Sequence, residues 1–334
     1  MIKVVTTVPY SRFQQFGILF PEDWDVAYLE DPAPETLLEN TKDADFLFVR
    51  SLHSVTEEII NAAKKLRLIH TEGVAYNTVD IEAAAKKGIP VCNNQGVNNK
   101  AVAEHTIGLM LASLRRIAWA DSEIKRGNYA ACQKKHRSAS SRELGSLHIG
   151  LVGLGAIGRE VARRLIPFGC KVSYHDIVRS GDSVEEELNV EYTDLNSLLT
   201  TCDVISLHVP VTPSTARIIS SDQLNVMKPG ALLINASRGE LVDQEALAAA
   251  LEEGRVCAAL DTVTPEPLNS DSPLITLSPE ASSRLVITPH IAGTTDEAFT
   301  GMLSRALENM RRVLRNEPLQ NVVNEVEYST GEEC

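Results

Sequence analysis

The stretch "HIGLVGLGAIGREVARRL", residues 148–165, limits the possible folds more than any other part of the chain. An apolar run reaches Gly153-x-Gly155-x-x-Gly158 and passes without a spacer into an amphipathic helical pattern. In a strand–turn–helix unit of this kind each glycine has its own task. The first permits a tight turn, the second lets the backbone approach a pyrophosphate, and the third lets helix and strand pack closely. The helix N-terminus then faces an anion. The next apolar run, "KVSYHD", ends on Asp176, where a carboxylate can accept hydrogen bonds from an adenosine ribose. A carboxylate there repels a 2′-phosphate, which favours NAD over NADP. Arg179 is the nearby cation that could attract one.

Short apolar runs alternate with helical patterns along the whole chain, the mark of parallel α/β sheets. At 334 residues the sequence is long enough for two domains. "IKVVTTV", "DVAYLE", "DFLFVR", "LRLIHTEG" and "IPVCNN" read as strands of a first doubly wound sheet, with a helix in "DIEAAAKKG" closed by Gly88. A single long helix is expected in "NKAVAEHTIGLMLASLRRIAWADSEIKRG", followed by an irregular crossing in "NYAACQKKHRSASSRELGS". Strands resume at "HIGLVGLG" and continue through "KVSYHD", "DVISLHVP", "GALLINAS", "VCAALDTV" and "LVITPHIAG". The helix "TTDEAFTGMLSRALENMRRVLRN" and an extended "PLQNVV" suggest that the chain returns to the first domain.

Bulk properties narrow the function classes. A net charge of −13 argues against a nucleic-acid partner, which needs a basic face. The six cysteines show no C-x-x-C spacing, so no metal site is expected and a reducing, cytoplasmic setting is. No run approaches the roughly 20 apolar residues of a membrane span, and "MIKVVTTVPY" lacks a signal-peptide core.

Three ionisable residues close successive strands of the second sheet. Arg238 follows "ALLINAS", Glu266 follows "CAALDTVTP", and His290 follows "LVITP". In open α/β sheets ligands bind beyond the carboxyl ends of the strands, beside the dinucleotide. A guanidinium there can grip a carboxylate with two parallel hydrogen bonds and polarise the neighbouring carbonyl. A histidine can give or take the proton, and a carboxylate can fix its tautomer and orientation. With a reduced nicotinamide, this set suffices to reduce a 2-oxo acid. Singly, each residue fits an ion pair or a surface position as well; their joint placement carries the reading.

The segments "EGVAYNTVDIEAAAKKGIPVCN", "AVAEHTIGLMLA", "VGLGAIGREVARRL", "DVISLHVPVTPST", "MKPGALLINASRGELVD", "LDTVTPEPL" and "TPHIAG" together resemble the NAD-dependent D-isomer-specific 2-hydroxyacid dehydrogenases, near the phosphoglycerate dehydrogenase branch. The resemblance implies a Rossmann NAD domain, residues 98–291, inserted in a flavodoxin-like substrate domain of residues 1–97 and 292–334. It implies Arg238 as the substrate-binding arginine, His290 as acid/base and Glu266 as its orienting partner. Cofactor contacts are implied at Gly153, Gly155, Ala156, Ile157, Gly158, Asp176, Val209, Pro210, Thr215, Ala236, Ser237 and Asp261. Backbone amides of Val74 and Ala75 would meet the substrate carboxylate, with Arg50 and Tyr76 as further candidates around the pocket. A homodimer through the helix near residues 98–126 is implied, with a small 2-oxo or 2-hydroxy acid as the partner molecule.

The chain departs from the common pattern at Ala75, Thr262, Val263 and Tyr129, none of which removes a catalytic group. Thr71 stands where a second phosphate-binding arginine would be expected, and the expectation is of a chain without an added regulatory domain. Phosphoglycerate dehydrogenase and hydroxypyruvate or glyoxylate reductase therefore both stay open. A corepressor-like NAD(H)-sensing binding protein on the same scaffold is the alternative from another class. A formate dehydrogenase fits less well, since glutamine is usual where Glu266 stands.

Overall fold

Strands buried on both faces read as nearly continuous apolar runs, because helices cover each side of a parallel sheet. Two such sheets form here, in a computed structural model that describes residues 1–138 and 141–326. The chain divides into one unit of Met1–Asn98 with the return from Thr294, and another of Asn99–Gly293.

In the first unit, β1 (Lys3–Thr6), β2 (Asp25–Tyr28), β3 (Phe46–Val49), β4 (Leu68–Thr71) and β5 (Val91–Cys92) lie in the order β2-β1-β3-β4-β5, all parallel. This is the flavodoxin-like order. Alternation along each strand sends Val5, Leu47, Val49 and Ile69 into one core and Val4, Phe46, Phe48 and Leu68 into the other. The helix Asp296–Arg315 closes the second core through Leu303, Ala306, Met310 and Val313. Val322 then bridges Cys92, so the return adds to the sheet edge at β5.

In the second unit, β6 (His148–Val152), β7 (Lys171–His175), β8 (Val190–Tyr192), β9 (Val204–Leu207), β10 (Ala231–Asn235), β11 (Val256–Leu260) and β12 (Leu285–Ile287) form a parallel sheet. Its order is β12-β11-β10-β9-β6-β7-β8. Counted from β6, this is the Rossmann order with one further strand, and the order reverses between β6 and β9. Both sheets are therefore doubly wound α/β, as the alternation implies.

Two local expectations change, and one strand was not anticipated. The long helix is two, Asn99–Leu114 and Ile117–Lys125, parted at Arg116, which adopts a left-handed φ of 50°. No glycine or proline marks the break. The crossing expected to be irregular contains a helix, Tyr129–Ser138; its polar surface and single buried residue, Cys132, hide the helical period. Residues 139 and 140 of that stretch, and the tail from 327, lie outside the described residues. The short strand β8 carries exposed Glu191 and Tyr192 and so lacks an apolar signature.

Candidate active site

The glycine loop leaves β6 at the point where the sheet order reverses. Gly153 has φ +100°, and a Cβ on it would lie 2.6 Å from the carbonyl oxygen of His208 and 2.9 Å from Val209 Cγ1. A Cβ on Gly158 would collide with the Gly153 carbonyl, so this glycine is what lets the helix Ala156–Leu165 sit against the loop. Gly155 faces open space, no side chain caps the helix start, and Ala156 is exposed. An open concavity with free helical N–H groups fits a pyrophosphate. Asp176 reaches back to this loop: one carboxylate oxygen accepts from the Leu154 N–H at 2.8 Å. The residues present therefore fit a dinucleotide.

Around this loop the other expected cofactor residues sit on neighbouring strand ends. Ser237 donates its hydroxyl to the Val209 carbonyl at 2.7 Å, joining the segments after β9 and β10. Thr215 closes the next turn through the Pro210 carbonyl at 2.6 Å. Ala236 shares a small apolar cluster with Val102, Ala292 and Ile157.

The turn carrying Arg238 is built by Asn235, which is fully buried. Its amide donates to the Arg238 carbonyl at 2.7 Å, and its side-chain oxygen accepts from the Ser237 N–H at 3.1 Å. Gly239 then lies so close to the backbone of Val263 and Thr264 that no Cβ could be accommodated. Gln244 ties the same two segments by donating to the Thr264 carbonyl. The Arg238 turn is thus fastened to the loop that carries Glu266. The guanidinium is exposed, donates to the Ser237 carbonyl at 2.7 Å, and has no carboxylate partner among the described residues.

Glu266 and His290 are in direct contact. His290 Nδ1 stands 2.7 Å from Glu266 Oε2, while Glu266 Oε1 accepts from the Val263 N–H at 3.1 Å. His290 adopts a left-handed φ of 54°, an uncommon state for a non-glycine residue that the surroundings must enforce. Asp261 does so. Its carbonyl accepts from the His290 N–H at 2.8 Å, and its carboxylate accepts from the N–H groups of Ile291 and Ala292 at 2.9 and 2.8 Å. His105 Nε2 lies 3.4 Å from the same carboxylate and 3.0 Å from Thr288 Oγ1, and Thr288 donates to the carboxylate at 2.5 Å. Burial opposes the charge on Asp261, but these hydrogen bonds outweigh it and hold the carboxyl at about 2. Its carboxylate thus fixes the histidine's turn from inside the fold.

Within the first unit, Val74 and Ala75 follow β4 in a turn whose carbonyls point inward. Asn94 donates to the Glu72 carbonyl at 2.8 Å and Asn93 to that of Val74 at 2.8 Å, while the Asn94 N–H takes the Gly73 carbonyl at 2.9 Å. No backbone acceptor among the described residues takes the N–H of Val74 or Ala75. Arg50 pairs with Asp31 at 3.2 Å and lies 3.9 Å from Glu72. Arg12 also binds Glu72, and Tyr76 is exposed. None of Asn94, Gln244, Asn235 and His105 was readable as a site residue: Asn94 and Gln244 hold backbone of distant segments, Asn235 shapes its own turn, and His105 meets the side chains of Thr288 and Asp261.

Comparison with known proteins agrees with this geometry. A family described as D-isomer specific 2-hydroxyacid dehydrogenase, NAD binding domain, matches residues 107–292. A D-3-phosphoglycerate dehydrogenase of Methanocaldococcus jannaschii is 39% identical over 97% of this chain, which spans 60% of that relative's length. A glyoxylate reductase of Thermofilum pendens is 40% identical over 88% of this chain and 85% of its own. The crystal structure of Aquifex aeolicus D-lactate dehydrogenase, complexed with NAD and lactic acid, aligns with a TM-score of 0.75 at 29% identity, over 94% of this chain and 96% of that one. The chain belongs to the D-isomer specific 2-hydroxyacid dehydrogenase family. It is an NAD-binding enzyme of that family, and the relatives' names do not favour the corepressor alternative.

Proposed function

We propose that this chain reversibly reduces a small 2-oxo acid to the D-2-hydroxy acid, and that Arg238, His290 and Glu266 carry the reaction. The observation that supports it most is the His290–Glu266 contact of 2.7 Å, on a loop packed against the Arg238 turn. NADH, when bound, supplies the hydride. Arg238 leaves the Ser237 carbonyl for the substrate carboxylate, which its planar fork fits with two parallel bonds. Glu266 accepts from His290 Nδ1, leaving Nε2 to protonate the carbonyl oxygen as it gains negative charge. Asp261 keeps the imidazole in place through the backbone on either side of it.

In this reading residues 98–291 hold the cofactor through Gly153, Gly155, Ala156, Ile157, Gly158, Asp176, Val209, Pro210, Thr215, Ala236, Ser237 and Asp261. Residues 1–97 and 292–334 bring the Val74 and Ala75 amides, with Arg50 and Tyr76, to the substrate. Arg50 is already matched by Asp31 and Glu72, and Thr71 replaces a second arginine, which supports an unphosphorylated acid. No described helix is long and apolar enough to cross a membrane. Five free cysteines among the described residues, four of them buried, support a reducing cytoplasm. Exposed Ile117, Ile124 and Tyr129 support a homodimer through that face.

The test is NADH oxidation with pyruvate, hydroxypyruvate, glyoxylate, phenylpyruvate, branched-chain 2-oxo acids and 3-phosphohydroxypyruvate. Turnover with a small unphosphorylated acid is expected. Silence across the panel with NADH bound would reject an enzymatic role, and preference for the phosphorylated acid would reject the substrate class.

A further inference from the structure

The loop between Asp176 and the helix Asp182–Leu188 contains an arginine whose fork is already filled. Arg179 Nε donates to Glu185 Oε1 at 2.9 Å and Nη2 to Glu185 Oε2 at 2.7 Å, with Asp182 at 3.3 Å. Surface ion pairs are commonly loose, but this one is built in. The Glu185 side chain is only 12% exposed, and the hydroxyl of fully buried Tyr174 donates to Glu185 Oε1 at 2.6 Å. The same hydroxyl accepts from the Ser180 N–H at 2.8 Å, which folds the loop back onto the helix. The guanidinium also lies 6.0 Å from the Tyr192 ring.

Arg179 is three residues beyond Asp176, in the loop where a 2′-phosphate would have to be recognised. A phosphate is gripped best by the same two-pronged fork that Glu185 now occupies. We propose that Glu185 sets the cofactor preference of this enzyme by sequestering Arg179, so that NADP is refused twice: Asp176 repels its 2′-phosphate, and the available cation is neutralised. This rests on the second unit binding a dinucleotide, and it assigns a specificity-determining role to a residue that need not touch the cofactor.

Equilibrium titration of NADH and NADPH fluorescence tests it without turnover. In an Asp176→Ser background, adding Glu185→Gln should tighten NADPH binding about tenfold, the scale of one charge-assisted hydrogen-bonded pair. NADH affinity should stay within about twofold, since NADH has no phosphate for the freed fork. A further Arg179→Ala should cancel the gain. Glu185→Gln alone should shift NADPH affinity in the same direction by a smaller factor, which keeps the test decisive if Asp176→Ser does not fold. An unchanged NADPH affinity with NADH still bound, or a gain that survives Arg179→Ala, overturns the inference alone. An unsubstituted chain that binds neither nucleotide overturns the cofactor reading with it.

Discussion

The two units share parallel doubly wound architecture but prepare chemistry in opposite ways. In Asn99–Gly293 the proposed site is made of side chains at strand ends: Arg238 exposed with no carboxylate partner among the described residues, His290 held against Glu266. In the first unit the corresponding turn offers backbone, and its charges cancel locally through Arg12, Arg50, Glu72 and Asp31. A free guanidinium and a poised imidazole cost little at an exposed sheet end, where water solvates them until a ligand arrives. A buried Glu72 cannot be left alone, so arginines are drawn to it. On the proposed reading, the difference separates groups kept available for reaction from groups that shape a pocket.

Substitutions should separate the two kinds of site, beginning with the largest effect. Arg238→Lys in the second unit should reduce kcat/KM for the best 2-oxo acid by about 10²–10³-fold, since a point charge cannot reproduce the bidentate fork. Steady-state kinetics with an NADH binding control checks this, and a near-normal rate would remove Arg238 from the site. Asn94→Ala in the first unit frees carbonyls that were pinned inward, and should raise the substrate KM about tenfold through a loosened turn, with NADH affinity unchanged. If kcat collapsed and KM did not move, the first unit would be acting on chemistry rather than on binding.

The smallest effect concerns acid stability. Burial lowers His70 of the first unit to about 4, although its bond to the Thr71 carbonyl opposes the shift. The neutral ring accepts from Asn309 at 3.2 Å, and protonation would abolish that acceptor. Between pH 6.5 and 4 the unfolded chain therefore binds the extra proton, so stability falls as pH falls through that window. The loss at pH 5 should be on the order of 1–2 kcal/mol for one group. Urea melts at pH 7 and pH 5 should show a smaller difference in His70→Gln. Equal losses would move the acid sensitivity elsewhere.

Much of the architecture is written locally. The glycine spacing, the strand before it and Asp176 after it specify a strand–turn–helix–strand unit, and the remaining apolar runs supply the other strands. Arg238, Glu266 and His290 were legible because strand ends place chemistry predictably. What was not legible depends on contacts that only the folded chain makes. The break at Arg116 follows no local signal, and the helix Tyr129–Ser138 buries one residue only. Asp261 could be picked out as important, but its use for the backbone around His290 depends on a fold that brings positions 261 and 291 together. Asn235 reads as an ordinary buried polar residue until its two hydrogen bonds are seen to shape the Arg238 turn.

One measurement bears most directly on the claim that these three side chains act on one bound nicotinamide. The enzyme is supplied with NAD and with each enantiomer of a panel of 2-hydroxy acids, and NADH formation is followed while NAD binding is measured in parallel. Fixed strand-end groups permit one handedness, so the D enantiomer should be oxidised and the L enantiomer left untouched. Comparable rates for both enantiomers, or none for either with NAD bound, would contradict it.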